Sequence, residues 1–396
     1  MFRTRALTAA AAALGLAGCS DSAVGQVPAP GSTAPAAPTS AVAPALAVET
    51  VAGGLTHGWD IGFLPDGKVL VSQRTGQFAL LSSGRPGATV TTLRADTADI
   101  QVRGEGGLLG MVVHPDFATS REFTSCQTHT EGGQPKDIRL VTWKLSDDEQ
   151  SATKVKDLLT GLPIAASGRH SGCRPTIAAD GALLVGTGDT ASASASQDKG
   201  NLGGKVLRID LKTGAALADN PTPGSPVYTY GHRNVQGVAV RPGSGQVLTA
   251  EHGPDKNDEV NLLAAGANYG WDPSQGGTVS EYDESVPMTD LTRFPDAVPA
   301  KWESGPTTEA VCASAFLDGE QWGALNGALV VTALKGAKLL LLSLDKDANV
   351  QSVAIPPEFA DQFGRLRAAR TGPDGALYVT TSNGSDDKLL RITPKA

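Results

Sequence analysis

Short apolar stretches recur along the chain, and each follows a tight turn built on Asp-Gly or a similar pair. Apolar and polar residues alternate within these stretches, which is typical of a β-strand with one buried face. Asp-Gly supplies the positive φ angles that a short hairpin turn requires. The pattern predicts six β-hairpins, with turns and following strands at 64–67 and 68–72, 114–117 and 121–125, 179–181 and 182–186, 242–245 and 246–250, 317–319 and 328–332, and 373–375 and 376–380.

Six hairpin units without a convincing amphipathic helix predict an all-β chain. If each hairpin belongs to one four-stranded antiparallel blade, residues 46–396 form a six-bladed β-propeller. Closing such a ring protects the strand edges that an open sheet would expose. The alternative is a β-sandwich in which the hairpins coincide by chance, and six recurrences along one chain disfavour it.

The first 45 residues differ in composition from the rest. Residues 1–18 begin with Arg3 and Arg5 and continue as an apolar stretch too short for a permanent membrane helix, which indicates a signal peptide. The phrase Leu-Ala-Gly-Cys at 16–19 resembles the lipobox of bacterial lipoproteins, which implies a lipid on Cys19; the alternative is an ordinary signal peptide with an incidental cysteine. Residues 19–45 are rich in Pro, Ala and Ser and predict a flexible linker. We therefore expect an extracytoplasmic protein of the bacterial cell envelope, anchored to a membrane by lipid.

Charge and cysteine content narrow the function classes. Without Arg3 and Arg5, 31 of the 33 basic residues remain against 41 acidic ones, and this acidic balance disfavours nucleic acid as a partner. Export permits a disulfide, and Cys126, Cys173 and Cys312 allow one pair with one cysteine left over. The pairing stays open at this point. No CxxC spacing occurs, which disfavours a zinc site.

Two polar clusters stand directly before predicted inner strands. Residues 167–174 place His170 between glycines, where an imidazole can act as a base near neutral pH. Residues 231–237 present Arg233 and Asn234, which are donors suited to an anionic or carbonyl-rich ligand. The alternatives are a turn histidine bonded to the backbone and an arginine that caps backbone carbonyls.

Two further clusters point to a metal ion and to an anion. Carbonyls and carboxylates are dense at 251–259 and suit calcium, although the spacing is not that of an EF-hand; a solvated acidic loop is the alternative. Arg365 and Arg367 alternate on a predicted strand, and Lys335 follows the fifth hairpin strand. Cations that face one channel would bind an anionic ligand. The alternative is that they are solvated surface charges. Neither a Gly-x-Ser-x-Gly motif nor a Gly-x-Gly-x-x-Gly fingerprint between a strand and a helix is present.

Several phrases together resemble one family of enzymes. They are 104–110 with 114–117, 231–234 with 236–237, 251–254 with 258–259, and 268–271, and they occur in order between about Val51 and Ile392. These phrases are similar to those of the soluble quinoprotein glucose/sorbosone (aldose sugar) dehydrogenases. The resemblance implies a six-bladed propeller that binds pyrroloquinoline quinone and calcium.

The resemblance also implies roles for individual residues. His170 matches the general base that takes the proton of the sugar hydroxyl, and Arg233 matches the residue that stabilises negative charge on a quinone oxygen. The backbone carbonyls of Gly253 and Pro254 match calcium ligands, and Glu259 and Tyr269 match ligands of a second, structural calcium. The expected cofactor-binding or cofactor-lining positions are Glu105, Arg169, Asn234, His252, Asp258, Lys335, Arg365 and Arg367.

The chain departs from the family pattern at two positions near the expected cofactor. Glu105 stands where glucose-oxidising members carry Gln, and Arg169 stands where they carry an acidic residue. The hairpin pattern puts Cys126 at the end of a second strand and Cys173 at the start of the next inner strand. We therefore favour a Cys126–Cys173 disulfide, with Cys312 free.

The function predicted on these grounds is oxidation of an aldose sugar or a related alcohol. Hydride would pass to pyrroloquinoline quinone beside a calcium ion, and electrons would leave to an acceptor in the envelope. The first alternative is a non-catalytic envelope propeller that binds carbohydrate or protein, and the second is a hydrolytic propeller such as a calcium-dependent lactonase. The combination of His170 and Arg233 favours the dehydrogenase.

Overall fold

A computed structural model describes residues 43–279 and 281–395. The predicted signal peptide, Cys19 and linker residues 20–42 lie outside the described residues. No helix within the described ranges is long and apolar enough to cross a membrane.

The chain forms six four-stranded antiparallel sheets, as the hairpin pattern predicts. Five sheets are continuous in sequence, and the sixth combines the last three strands with the first one. In chain order the blades are I, β2 Gly58–Phe63, β3 Val69–Gln73, β4 Gln77–Leu81 and β5 Val90–Thr92; II, β6 Leu108–Val113, β7 Glu122–Glu131, β8 Gln134–Leu145 and β9 Ala152–Leu162; III, β10 Gly172–Ile177, β11 Leu183–Thr187, β12 Lys205–Ile209 and β13 Val227–Tyr230; IV, β14 Val235–Val240, β15 Val247–Glu251, β16 Glu259–Leu262 and β17 Trp302–Glu303; V, β18 Val311–Phe316, β19 Leu329–Ala333, β20 Lys338–Leu344 and β21 Val350–Ala354; VI, β22 Leu366–Thr371, β23 Leu377–Thr381, β24 Asp387–Pro394 and β1 Leu46–Leu55.

The innermost strands form a closed ring. Each of β2, β6, β10, β14, β18 and β22 contacts the innermost strands of both neighbouring blades, and the contact of β2 with β22 completes the circle. β1 pairs with β24 from Leu46 opposite Pro394 to Leu55 opposite Asp387, so the two ends of the domain share one blade. The six-bladed β-propeller is confirmed, and the β-sandwich alternative is wrong.

The predicted turns join the first and second strands of each blade at one end of the ring. Gly67, Gly181 and Gly375 adopt positive φ angles there, as the Asp-Gly phrases require. Two connections are more elaborate than a tight turn. A short helix, α1 (Phe117–Ser120), follows the second phrase, and a 3₁₀ segment, Glu320–Leu325, follows the fifth; a further 3₁₀ turn is Pro357–Phe359.

A disulfide joins blades II and III. Cys126 of β7 is bonded to Cys173 of β10, and both residues are buried among the apolar side chains that pack between these blades. The predicted pairing is confirmed, and Cys312 is a buried free thiol. Cys126 lies within β7 rather than at its end, because β7 and β8 form the longest hairpin and continue past it.

Internal ion pairs fill the centre of the ring. Asp60 is fully buried and lies 2.9 Å from Nη1 of Arg174 and 2.9 Å from Nη2 of Arg370. The Arg174 guanidinium also lies over the Trp59 ring, 4.1 Å from its centroid. These contacts occupy the polar centre, and the predicted site residues lie nearer the end of the ring where the inner strands begin.

Candidate active site

His170 stands directly before β10 at that end of the ring. It has a φ of 50° and is almost fully buried. The chain can enter the strand this way because Gly168 precedes it with a φ of 77°, in a position where a Cβ atom would overlap the carbonyl oxygen of Arg103. The glycine-flanked position suggested an exposed imidazole, but the structure buries it where the chain enters the strand.

A buried carboxylate orients the His170 ring. Nδ1 of His170 lies 2.7 Å from Oδ1 of Asp189, which follows β11 and is fully buried. The indole of Trp271 and the hydroxyl of Tyr282 donate to Oδ2 of Asp189 at 2.8 and 2.6 Å. Burial alone would raise the pKa of Asp189, but the hydrogen bonds and positive charge around it lower it. An ionised Asp189 holds the proton on Nδ1 and leaves Nε2 of His170 as the basic atom.

Arg233 lies next to this pair and contacts the predicted calcium loop. Its Nη1 donates to the carbonyl oxygens of His252 and Gly253 at 2.7 and 2.9 Å, and its Nη2 donates to Oε1 of Glu284 at 2.6 Å. The amide of Asp189 donates to the carbonyl of Arg233 at 2.8 Å, which ties the two segments together. Nε of Arg233 is buried without a hydrogen-bond partner among the described residues.

Glu105 and Asn234 meet at the same end of the channel. Oε2 of Glu105 accepts hydrogen bonds from the side-chain amides of Asn234 and Gln236 at 3.0 and 3.1 Å. Burial would raise the pKa of Glu105, but the neighbouring His170 imidazole and the hydrogen bond from the Asn234 amide lower it below its ordinary value, so Glu105 is an anion at neutral pH. Arg169 does not face this carboxylate, since its Nη2 lies 2.7 Å from Oε1 of Glu284.

A set of cations lies close to Glu105, since Gln236 donates to Glu105 and accepts from Arg367. Arg365 and Arg367 converge there with Arg74, and burial together with the charges of Arg367 and Arg365 lowers the pKa of Arg74. Arg367 is 6% exposed; its Nη1 donates to Gln236, and its Nε is buried without a partner in the part of the chain that the structure describes. None of these three guanidinium groups forms an ion pair with a carboxylate of the described residues. Lys335, in the loop between β19 and β20, is exposed.

The loop at 252–258 is held by one fully buried carboxylate. Asp258 accepts hydrogen bonds from the amide of Gly253 at 2.8 Å, the hydroxyl of Thr308 at 2.8 Å and the amide of Glu309 at 2.6 Å. Its Oδ1 also lies 3.4 Å from Nδ1 of His252. Asp258 therefore organises the loop that carries the carbonyls of Gly253 and Pro254.

The two remaining predicted metal residues lie beside β16. Glu259 is fully buried, and burial together with the nearby carboxylate of Glu251 raises its pKa to about 8. The hydroxyl of Tyr269 donates to the carbonyl of Leu262 at 2.7 Å, and its ring stacks on His232. Within the described residues, no three His, Cys, Asp or Glu side chains converge as a ready metal cluster.

Comparison with known proteins identifies the family. The family described as "Glucose / Sorbosone dehydrogenase" matches residues 55–391. The chain belongs to the glucose/sorbosone dehydrogenase family. This assignment confirms the predicted family and places the chain among enzymes, the sugar dehydrogenases that act on CH–OH groups, rather than among non-catalytic propellers.

Individual members of the glucose/sorbosone dehydrogenase family align along nearly the whole propeller. The aldose sugar dehydrogenase of Escherichia coli K12 is 29% identical over 355 residues, covering 88% of this chain and 93% of that protein. An oxidoreductase (glucose dehydrogenase) structure from Thermus thermophilus is 34% identical with a TM-score of 0.73, covering 88% and 99% of the two chains. A PQQ-bound aldose sugar dehydrogenase structure from Streptomyces coelicolor is 28% identical with a TM-score of 0.72, covering 89% and 99%.

Sequence reasoning missed several residues that the structure brings to this candidate site. Asp189 comes two residues after Thr187, the last residue of the second strand of blade III, so a polar residue at a strand exit was the available signal. Arg74 follows the second strand of blade I in the same way. Tyr282 and Glu284 lie in the long segment between β16 and β17, where no local pattern indicated a role.

Proposed function

We propose that this dehydrogenase oxidises an aldose sugar or a related alcohol, with pyrroloquinoline quinone as hydride acceptor and calcium beside it. The observation that carries the proposal is the buried His170–Asp189 pair next to Arg233, at the end of the ring where Arg74, Arg365 and Arg367 have no carboxylate partners among the described residues. A base that is held in one tautomer beside a fixed cation suits removal of a proton and a hydride from the same alcohol.

The residues at the mouth fit an anionic cofactor. Arg74, Arg365 and Arg367 supply three guanidinium groups, and the partnerless Nε atoms of Arg233 and Arg367 are donors that a bound ligand would satisfy. Cofactor carboxylates would pair with the three guanidinium groups, and the amide of Asn234 together with exposed Lys335 would complete the set. The PQQ-bound relative from Streptomyces coelicolor supports this choice of cofactor.

The fit to calcium rests on carbonyl oxygens. Those of Gly253 and Pro254 come from one loop and are the ligand type that calcium prefers, although the carbonyl of Gly253 also accepts from Arg233. Buried Glu259 lies near Glu251 and the partnerless Oδ1 of Asn261, a set that also suits a cation, with Tyr269 beside it.

The chain's own groups then have defined roles. Asp189 keeps the proton of His170 on Nδ1, so Nε2 accepts the proton of the substrate hydroxyl. Arg233 presents positive charge where negative charge develops. When bound, pyrroloquinoline quinone would supply the hydride acceptor and calcium would increase its electrophilicity. The buried setting of His170 excludes water from the base.

Reconstitution tests the proposal. The domain from residue 46 would be loaded with calcium and pyrroloquinoline quinone and offered a panel of aldoses with an artificial electron acceptor. We expect dye reduction with at least one sugar, and His170→Ala should abolish turnover while it leaves cofactor binding within about twofold. Absence of cofactor binding and of dye reduction on every sugar would refute the proposal, and normal turnover by His170→Ala would refute the assigned base.

We further propose that the domain works outside the cytoplasm and is anchored by lipid on Cys19, with electrons passing to an envelope acceptor. The Cys126–Cys173 disulfide supports an oxidising compartment. Replacing Cys19 by Ala should release the full-length chain from the membrane fraction and prevent its labelling with a radioactive fatty acid. Unchanged membrane association of the variant would contradict the anchor.

A further inference from the structure

Lys205 is a buried cation outside the groups considered so far. It is the first residue of β12, and its side chain is fully buried. Nζ donates to the carbonyl oxygens of Ala195, Ser196 and Gly203 at 2.7, 3.0 and 2.7 Å. All three protons of the ammonium are therefore used, and no carboxylate of the described residues forms an ion pair with it.

This arrangement resembles a small cation-binding cage that the chain fills with its own side chain. Taking an ammonium out of water is costly, and burial lowers the pKa of Lys205 to about 7. The three carbonyl dipoles offset part of that cost because they favour the charged form. An apolar side chain of the same length would avoid the desolvation cost but leave the carbonyls of Ala195 and Gly203 without a donor, and that of Ser196 with the Gly231 amide alone.

The loop whose carbonyls surround the Lys205 ammonium links the segment that carries Asp189 to the segment that carries Arg233. Residues 188–204 connect β11 to β12 and include Asp189, the partner of His170. The carbonyl of Ser196, which Lys205 binds, also accepts from the amide of Gly231 at 2.9 Å. The hydroxyl of Ser196 donates to the carbonyl of His232 at 2.7 Å, one residue before Arg233.

We propose that Lys205 is a positioning residue whose ammonium acts as an internal cation and fixes loop 188–204, so that Asp189 and Arg233 keep their places around His170. The inference rests on the proposed function for its catalytic consequence, but its geometric part does not depend on any substrate. Lys205 touches neither His170 nor the open mouth, so its effect passes through the loop.

Chemical rescue gives the test. Lys205→Ala removes the three carbons and the ammonium that reach the cage, and n-propylammonium replaces these atoms and the charge; n-propanol replaces the shape without the charge. Measurements at pH 6 keep the ammonium protonated. We expect kcat to fall by about 100-fold, as for a base displaced by about 1 Å, with KM for the sugar and quinone affinity changed by less than about threefold. Propylammonium should raise the kcat of Lys205→Ala at least about tenfold, and propanol should not.

A second readout does not need turnover. The Nδ1 proton of His170, assigned by comparison with His170→Asn, should give a downfield NMR signal in the wild type because Asp189 accepts it. The signal should disappear in Lys205→Ala and return with propylammonium. A wild type that shows the signal but oxidises no sugar would refute the proposed function while this test of Lys205 still stands.

Lys338 provides the matched control, since it is the first residue of the third strand of blade V and pairs with Glu309 at 2.8 Å. Lys338→Ala should keep kcat and the His170 signal. If Lys205→Ala does not fold, Lys205→Met, which fills the space, is compared with Lys205→Arg, which keeps the charge, and only the arginine variant should keep the signal. An unchanged signal and kcat in Lys205→Ala or Lys205→Met, or equal rescue by propanol, would overturn the proposal.

Discussion

Oε1 of Glu284 lies 2.6 Å from Nη2 of Arg233, and the same oxygen lies 2.7 Å from Nη2 of Arg169. One carboxylate thus bridges two guanidinium groups that flank His170. The Arg233 side chain is 4% exposed and that of Glu284 is 37% exposed, so the carboxylate approaches from the solvent side. In the proposed function, Glu284 pairs with the Arg233 guanidinium, which is the cation that a quinone oxygen would otherwise contact.

Glu284→Gln should therefore tighten quinone binding. The substitution removes a competing negative charge from Arg233 and keeps the size of the side chain. Because a partly exposed ion pair contributes about 1 kcal/mol or less, the expected decrease in Kd is about three- to fivefold. Titration of the apoprotein, followed by cofactor absorbance, measures it, and the difference should shrink as added salt screens the charges.

Asp283 supplies the control for this prediction. Its carboxylate accepts from Ser285 and Gln275 and pairs with no cation of the described residues, so Asp283→Asn should leave the quinone Kd unchanged. Equal quinone affinity of Glu284→Gln and the wild type at low salt would show that Glu284 does not compete for Arg233.

Asp189→Asn should reduce kcat strongly with little effect on KM for the sugar. An amide keeps the shape of the side chain but loses the charge that holds the proton of His170 on Nδ1. The loss of a tautomer-fixing carboxylate in such a pair typically costs about 10²- to 10⁴-fold. Steady-state kinetics of the reconstituted enzyme measure both constants.

The matched control for Asp189→Asn is Tyr282→Phe, which separates charge from hydrogen bonding at the same carboxylate. It removes the hydroxyl that donates to Asp189 but leaves the ionised carboxylate and the Trp271 hydrogen bond in place. The control should lose less kcat than Asp189→Asn, at most about 10- to 100-fold, since one hydrogen bond to a charged group contributes about 1.5–3 kcal/mol. If Tyr282→Phe lost more kcat than Asp189→Asn, the Tyr282 hydroxyl rather than the Asp189 carboxylate would be the group that orients His170.

Local signals in the sequence were enough to predict the blades. Asp-Gly at 66–67 and 180–181 fixes a turn through neighbouring residues alone. The strands that follow, Val69–Gln73 and Leu183–Thr187, are buried at every residue, because neighbouring blades cover both of their faces. The phrases around His170 and Arg233 lie beside inner strands, so the ring brings them together once the fold is known. The Cys126–Cys173 pair followed from the same placement.

The remaining site residues depend on contacts between distant segments. Glu284 reaches Arg169 across 115 positions of sequence, from a segment between β16 and β17 that has no strand pattern. In the sequence, Lys205 looks like an ordinary polar residue at the start of a strand. The carbonyl oxygens around its ammonium come together only because loop 188–204 folds back over it. No periodicity marks such contacts, because they depend on how the long connecting segments fold and not on the strand pattern.

Stability should fall in mild acid because of His114. This ring is buried at the start of the second predicted turn, with Nε2 2.8 Å from Oγ1 of Thr124 and Nδ1 3.3 Å from Nζ of Lys212. Burial, followed by the charge of Lys212, lowers the pKa of His114 from 6.5 to about 4. The unfolded chain binds the proton first, so stability is complete above pH 6.5 and is lost as the pH falls towards 4.

The lost free energy of unfolding should reach about 3 kcal/mol, at about 1.36 kcal/mol per pH unit of pKa difference. Urea unfolding at pH values from about 4 to 8 measures it. His114→Gln keeps a donor towards Thr124 but cannot titrate, so its stability should depend less on pH in this range. Parallel curves for the wild type and His114→Gln would contradict the assignment.

Arg74→Gln should weaken quinone binding by about tenfold. Arg74 donates to the carbonyl of Gly104 and lies with Arg365 and Arg367, whose positive charges repel it when no anion is bound. A hydrogen bond to a charged group contributes about 1.5–3 kcal/mol, which sets the size of the effect. Arg103→Gln, in an exposed position of the adjacent loop, should have no effect, and equal changes in the two variants would indicate long-range charge rather than contact.

Glu105→Gln should have the opposite effect to Arg74→Gln. The Glu105 carboxylate accepts from Asn234 and Gln236, and both hydrogen bonds can persist with the oxygen of a glutamine amide. Its negative charge remains at neutral pH because the neighbouring His170 imidazole and the hydrogen bond from the Asn234 amide outweigh burial and lower its pKa. Removing that charge from the mouth should tighten binding of a tricarboxylate cofactor by about fivefold, or about 1 kcal/mol, measured by the same absorbance titration. Weaker binding by Glu105→Gln would instead show that the carboxylate is a direct ligand of the bound cofactor or its calcium, and that the departure from glutamine at this position changes how the cofactor is held.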